Sequence, residues 1–223
     1  MRILKSLFLI IFLILVPYKN IFAEENKQDR KHKIFVDNYY KCFERLDFIS
    51  SGNFKNSSCS RAIEIAEKQN FNEINLLRLY YYVSINILNN SNNNQNRLKK
   101  DYAKSRELAQ KGVLFVKNID FYSEEKQNIL QALYDIIGFT FIEGKDYENA
   151  LINYQKSLEF AFENNESSDD IKYNSQVNMG YAFLRKADYS NALDIFTKIL
   201  DNKRCKSSNT FSCLIIQNNI ANV

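Results

Sequence analysis

Apolar positions recur at intervals of three and four residues along most of the chain. This periodicity is typical of amphipathic helices, and the segments that carry it are rich in Leu, Ile, Glu, Lys, Gln and Ala, which favour helix. The predicted helices span residues 34–50, 54–69, 71–89, 99–118, 123–143, 147–165, 169–186, 189–203 and 209–221. With only five glycines and one proline, the sequence has few of the turn signals that a sandwich or barrel of short strands needs. We therefore predict an all-α fold.

A short pattern recurs between the predicted helices: Asn or Asp, then an aromatic residue, then a small residue three positions later. It begins at Asn53, Asp101, Asp146 and Asp188, so its four copies follow one another at similar intervals. Asn or Asp at this position is typical of an N-cap, here on the second helix of a helix pair. The aromatic residue packs back on the first helix, and the small residue allows the two helices to approach closely. The pattern predicts four stacked helix pairs, each with an apolar face that the next pair covers.

The third and fourth pairs resemble the tetratricopeptide repeat (TPR) family, in which a glycine is followed by aromatic and small residues at fixed offsets. The matching positions are Gly138, Phe141, Ala150, Tyr154 and Ser157, and then Gly180, Phe183, Ala192 and Phe196. The resemblance is clearest over residues 131–204, and its period is longer than the usual roughly 34 residues. It implies a right-handed α-solenoid of TPR-like antiparallel helix pairs.

The first residues have the order of a secretory signal peptide. Two basic residues precede an unbroken apolar run over 7–16, and Ala23 is the predicted cleavage position. Because about 20 apolar helical residues are needed to span a membrane, a cleaved signal over residues 1–23 is favoured over an uncleaved anchor. We predict an exported protein, periplasmic or secreted, with no stable membrane span after cleavage.

Loss of residues 1–23 lowers the formal charge from +4 to +1, because three basic residues and no acidic residue are removed. A nearly neutral mature chain gives no reason to expect nucleic acid or an anionic membrane as the partner.

The rest of the chain is predicted to form a flexible lead-in and one repeat domain. The lead-in covers residues 24–33, and the TPR-like helical repeat domain covers residues 34–223. Its units are 34–69, 71–118, 123–165 and 169–204, followed by a capping helix at 209–221. Repeat arrays need such a cap over their last apolar face. A continuing repeat is the alternative interpretation of the last segment.

Four cysteines in an exported chain predict two disulfides, with three possible connectivities. Cys42 and Cys59 lie at comparable distances from the turn near residues 51–52, and Cys205 and Cys213 flank the loop before the capping helix. We favour pairing between nearest neighbours, which places one bridge at each end of the array. A redox or metal role is the weaker interpretation, because the sequence contains no Cys-x-x-Cys.

The sequence contains few residues in patterns that are typical of catalytic sites. Its only histidine, His32, lies in the lead-in, so nucleophilic catalysis has no candidate base. The scattered glycines form no phosphate-binding loop. Carboxylates at turns, such as Glu143 and Asp146, are interpreted as helix caps and solvated charges. We therefore predict no enzyme activity, no catalytic residue, no metal and no cofactor.

The family resemblance implies where a partner binds, because in TPR proteins the first helix of each pair lines a groove that accepts a peptide or a partner's helix. Carried over by position, the groove residues are Asp135, Phe139 and Ile142 in unit three and Asn174, Asn178, Tyr181 and Arg185 in unit four. Spacings of four, three and four residues place the last four on one helical stripe. Asparagine amides can bond an extended peptide backbone, and Arg185 can bind a carboxylate. An ordinary solvated stripe is the alternative.

Three functions follow from these observations. The favoured one is an exported, non-enzymatic scaffold or adaptor that binds a protein or peptide. The second is a permanent structural or assembly component of an envelope or secretion complex, which would elute as a large species in size exclusion. The third is an enzyme with an unrecognised site, which would need an activity that depends on one particular carboxylate.

Overall fold

The computed structural model describes residues 30–46, 49–69, 74–90, 95–116, 123–160, 166–201 and 211–221. Within these ranges the regular secondary structure is helical. The helices are α1 (Arg30–Phe43), α2 (Ser51–Phe54), α3 (Ser58–Gln69), α4 (Ile74–Asn89), α5 (Gln95–Val116), α6 (Glu124–Glu143), α7 (Tyr147–Glu159), α8 (Glu166–Arg185), α9 (Tyr189–Leu200) and α10 (Phe211–Ala221). The all-α prediction is confirmed, and most predicted helix ends lie within about one helical turn of the observed ones.

The chain divides into two compact units, Met1–Ile34 and Phe35–Val223. Of the first unit, the described residues are the start of α1. The predicted signal peptide at 1–23 and the lead-in residues 24–29 lie outside the described residues. None of the described helices is long and apolar enough to cross a membrane.

In the second unit, successive helices from α3 to α10 pack on each other, and α6 also contacts α4 on one side and α8 on the other. The helices α4, α6 and α8 therefore lie side by side as one layer. The helices α5, α7 and α9 pack against it as a second layer. This arrangement is a stack of antiparallel helix pairs, as predicted. Its apolar core is a succession of clusters in chain order, which include Phe35 and Leu108, then Leu77 and Leu133, then Tyr154 and Ala182, and finally Phe196 and Ile216.

The turns after α6 and α8 have the same geometry. Lys145 and Ala187 both adopt left-handed backbone, with φ of 62° and 63°. The next residue is an aspartate in both turns. The backbone N–H of Asp146 donates to the carbonyl of Phe141, and that of Asp188 donates to the carbonyl of Phe183, each at 2.9 Å. This bond closes each helix in a Schellman-type turn.

The same aspartates then begin the next helices. The Asp146 carboxylate accepts the backbone N–H of Asn149 at 3.2 Å, and the Asp188 carboxylate accepts that of Asn191 at 3.3 Å. The capping prediction is confirmed for the third and fourth pairs.

Close helix contact in these two pairs occurs at a glycine. A Cβ atom added to Gly138 would lie 2.7 Å from Cε1 of Tyr154, and one added to Gly180 would lie 2.5 Å from Cε1 of Phe196. Both rings are fully buried. The sequence repeat between these two pairs is therefore also a repeat of packing.

The capping prediction is wrong for the first two pairs. Asp101 lies inside α5, which begins at Gln95, and its fully buried carboxylate accepts the backbone N–H of Ser51 at 3.0 Å. Asn53 lies inside the short helix α2, where its side chain accepts the backbone N–H of Ser50. Both residues thus hold the segment before α3 in place instead of starting a second helix. The hydroxyl of Ser57, which accepts the N–H of Ser60 at 3.1 Å, takes the capping role for α3.

A disulfide joins Cys42 of α1 to Cys59 of α3, with their Cα atoms 4.6 Å apart and both side chains fully buried. The expected bridge at this end of the array is present. Cys213 of α10 is also disulfide-bonded. Because Cys205 lies outside the described residues, its predicted pairing with Cys213 stays a prediction.

Candidate partner-binding face

The helix α8 presents a polar stripe, which we call the α8 stripe and define as Asn174, Asn178, Tyr181 and Arg185. These residues recur every three or four positions, so their side chains leave the helix on one side. Three of them are half-buried and Arg185 is exposed. The side is thus accessible to a partner without being fully solvated.

Within the described residues, neither Asn174 nor Asn178 makes a side-chain hydrogen bond. Each amide offers two donor hydrogens and one acceptor oxygen. Half-buried groups of this kind gain most from a ligand that supplies both donors and acceptors, as an extended peptide backbone does.

Arg185 is fixed in place by aromatic neighbours. Its Nη1 donates to the hydroxyl of Tyr181 at 2.8 Å, and its guanidinium carbon lies 5.6 Å from the centre of the same ring. Hydrogen bonds with Tyr181 and with Tyr147, at the start of α7, raise the pKa of Arg185 above its ordinary value. The stripe therefore ends in a permanent, oriented positive charge.

Asp135 of α6 lies beside α8 but is engaged within the fold. Both of its carboxylate oxygens lie 2.9 Å from the hydroxyl oxygen of Ser175. Burial raises the pKa of this carboxyl to about 7, although hydrogen bonds from Ser175 and Ser157 act in the opposite direction. Asp135 is thus better described as part of the contact between α6 and α8 than as a free anion for a ligand.

The apolar positions assigned to the third unit behave differently from each other. Phe139 is 38% exposed and meets the ring of Tyr102 edge-on, with centroids 6.2 Å apart. Ile142, by contrast, is only 1% exposed and belongs to the core. Its assignment to the groove is therefore wrong, because it is buried against α7 and α8 instead of facing a partner.

Sequence patterns did not reveal the side-chain contacts that α4 makes with other helices. Arg78 of α4 forms a two-pronged ion pair with Glu125 of α6, with N–O distances of 2.6 and 2.8 Å. In the run of three tyrosines, Tyr80 is buried and donates to Glu67 at 2.6 Å, and Tyr82 packs on Phe43. These contacts join Tyr80 to α3 and Tyr82 to α1, so no local pattern indicated them.

A shallow apolar depression of about 380 Å³ lies between α7 and α8. Leu151, Ile152 and Met179 contribute to its lining, and Ile152 is half-exposed. Its other lining residues are Gln155, Lys156 and Glu159 of α7. Among the described side chains, no group of three His, Cys, Asp or Glu residues is arranged to hold a metal ion.

Comparison with known proteins leaves the family of the chain open. No protein-family model and no curated protein matches the sequence. Among solved structures, it is similar to one described as "MamA RS-1 ArsTM double mutant", with 17% sequence identity, coverage of 81% of this chain and 99% of that chain, and a TM-score of 0.32. Because this similarity is weak, the assignment of stacked helix pairs rests on the packing described above.

Proposed function

We propose that this chain is an exported, non-enzymatic, TPR-like interaction module that binds a protein or peptide along the α8 stripe. The observation that carries the proposal is the pair of half-buried amides, Asn174 and Asn178, one helical turn apart and without hydrogen bonds in the described part of the chain. Because both amides are accessible to solvent, a partner's backbone can replace water as their hydrogen-bond partner, with a net gain of about 0.5–1.5 kcal/mol for each bond.

The TPR-like character is supported by the repeated geometry of the last two pairs. Each has a glycine against a buried aromatic ring, a left-handed turn residue and an aspartate cap, all at equivalent positions of the pair. In such arrays, binding surfaces extend along one layer of helices. In this chain that layer contains α4, α6 and α8.

Export is supported by the signal-like first 23 residues and is compatible with a buried disulfide, which persists in oxidising compartments. Binding instead of catalysis is supported by the scarcity of candidate bases, since the chain has a single histidine. Neither nucleic acid nor a membrane is proposed as the partner, because the mature chain is close to neutral.

The test begins with photo-crosslinking in the compartment where the protein resides. A photoreactive residue at position 178 should capture one dominant protein or peptide, whereas the same residue at position 193, on the exposed side of α9, should not. The captured partner is then purified, and its dissociation constant is measured against the full chain.

The double substitution Asn178→Ala/Arg185→Ala should weaken binding roughly tenfold or more, as expected for two polar anchors of an interface, without changing helicity. Lys198→Ala, at an exposed position of α9, is the matched control and should bind like the wild type. Equal affinity of the double variant and the control would exclude the α8 stripe as the binding face.

A further inference from the structure

Two oppositely charged side chains occupy equivalent positions at the ends of α6 and α8. Glu143 is the last residue of α6, Arg185 is the last residue of α8, and both are exposed. Each follows an accessible aromatic residue, Phe139 or Tyr181, by about one helical turn. Because α6 and α8 are neighbours in one layer, the two charges lie side by side on helices whose axes are typically about 8–10 Å apart.

A tyrosine of the second layer contacts each of these charges. The hydroxyl of Tyr102 in α5 donates to the Glu143 carboxylate at 3.4 Å. Arg185 hydrogen-bonds with Tyr181 on its own helix and with Tyr147 of α7. Phenols do not neutralise a charge, and within the described residues neither Glu143 nor Arg185 forms an ion pair. Inside the fold, both charges therefore stay uncompensated.

The ends of α6 and α8 also lie close to the same residue of α7. This residue is Tyr154, which is fully buried. Burial and the negative charge of Asp135 raise the pKa of its phenol well above the ordinary value, and Glu143 and Tyr181 raise it further. Glu143 and Tyr181 come from different helices, so their common effect on one phenol agrees with their placement side by side.

We propose that Glu143 and Arg185 form a two-charge site, which binds an extended peptide segment that carries a basic and an acidic residue two positions apart. The inference rests on the proposed function, because it takes the α8 stripe as one side of the binding surface and adds the end of α6 as the other side. The basic side chain of the ligand pairs with Glu143. Its acidic side chain pairs with Arg185, whose planar fork matches a carboxylate.

The geometry of an extended chain fits this spacing. Residues two positions apart project from the same face of the chain, about 7 Å from each other. Long charged side chains cover the remaining difference from the spacing of the two helices. Their aliphatic stems can pack on the accessible rings of Phe139 and Tyr181.

A site with one charge of each sign selects the arrangement of charges in a ligand and not its net charge. A ligand with two acidic residues gains a pair at Arg185 but is repelled by Glu143, and a ligand with two basic residues meets the opposite problem. Repulsion of this kind discriminates between partners more strongly than attraction alone.

The test measures binding of the full wild-type chain to short immobilised peptides that differ only at two residues, two positions apart. This pair is basic–acidic, acidic–basic, doubly basic or doubly acidic. The wild type should bind the better of the two mixed classes roughly fivefold or more tightly than either like-charged class. Glu143→Lys should shift the preference to the doubly acidic peptides, and Arg185→Glu should shift it to the doubly basic ones.

Each preference is a ratio measured within one variant, so a change in overall affinity or in the folded fraction does not affect it. Glu159→Lys is the matched control, because it makes the same change of charge at an exposed position of α7. It should keep the preference of the wild type for mixed charge.

Equal binding of all four peptide classes by the wild type, or binding of none, would overturn the two-charge site. Capture by a photoreactive residue at position 178 would then still support the α8 stripe, whereas failure of that capture counts against the proposed function itself. Sedimentation tests a different occupant. Dimerisation of the wild type that Glu143→Lys abolishes would assign both charges to a second copy of the chain and refute the peptide site.

Discussion

At the residue scale, the third and fourth pairs depend on the absence of a side chain at Gly138 and Gly180. These positions touch the buried rings of Tyr154 and Phe196 at distances that no Cβ tolerates. Glycine is otherwise unfavourable inside a helix, by about 1 kcal/mol relative to alanine. Its presence at both sites is explained by the close approach of two helices and not by local propensity.

Gly180→Ala should therefore destabilise the protein, although alanine is the better helix former. The new methyl group would lie 2.5 Å from Cε1 of Phe196, and displacing a buried ring typically costs about 1–3 kcal/mol. The free energy of unfolding from denaturant titration measures the effect. Gly144→Ala is the control, because its Cβ would lie no closer than 3.4 Å to a neighbour and its change should stay within about 0.5 kcal/mol. Equal effects at the two glycines would contradict the packing at Gly180.

Sequence pattern identified these glycines because their partners, Tyr154 and Phe196, follow at the same offset in both pairs. The Asp135–Ser175 contact spans 40 residues and depends on how two pairs stack, so no local pattern indicated it. Asp101 shows the opposite failure: its local pattern was that of a cap, but its helix begins earlier, at Gln95, and its carboxylate accepts a tertiary hydrogen bond from Ser51. Ile142 was assigned to the groove by its position in the repeat, but its burial depends on α7 and α8.

At the element scale, helix bounds were predictable because periodicity and capping act within a few residues. The turns that join α6 to α7 and α8 to α9 are the clearest case, with an aspartate cap directly after a left-handed residue. In both turns that residue carries a side chain, Lys145 or Ala187, where glycine fits without strain. These turns are therefore formed at some conformational cost.

Ala187→Gly should raise the stability of the protein by about 1 kcal/mol, since it relieves a left-handed conformation with φ of 63°. Thermal and denaturant unfolding measure the change. The same substitution at Ala103, an exposed position inside α5, should lower stability by about 1 kcal/mol. A loss of stability at both positions would show that strain at the turn does not outweigh the greater freedom of glycine in the unfolded chain.

At the scale of the whole molecule, the helix pairs contact mainly their neighbours along the chain. Such arrays are stabilised by local interfaces, and their ends have a neighbour on one side only. The Cys42–Cys59 disulfide fastens the end formed by α1 and α3, whereas α8 and α9 lie several interfaces away. Stability should therefore differ along the chain.

Removing this bridge with Cys42→Ala/Cys59→Ala should loosen one end and spare the other. Closure of a loop with a sequence separation of 17 residues contributes about 3 kcal/mol by the chain-entropy account. Amide exchange should accelerate strongly in α1 and α3 and remain unchanged in α8 and α9, because successive interfaces transmit little of the loss. The reverse is expected for Cys205→Ala/Cys213→Ala, which leaves α1 and α3 protected. Uniform loss of protection along the chain in either variant would mean that the pairs unfold as one cooperative unit, and the description as an array of neighbouring interfaces would have to be abandoned.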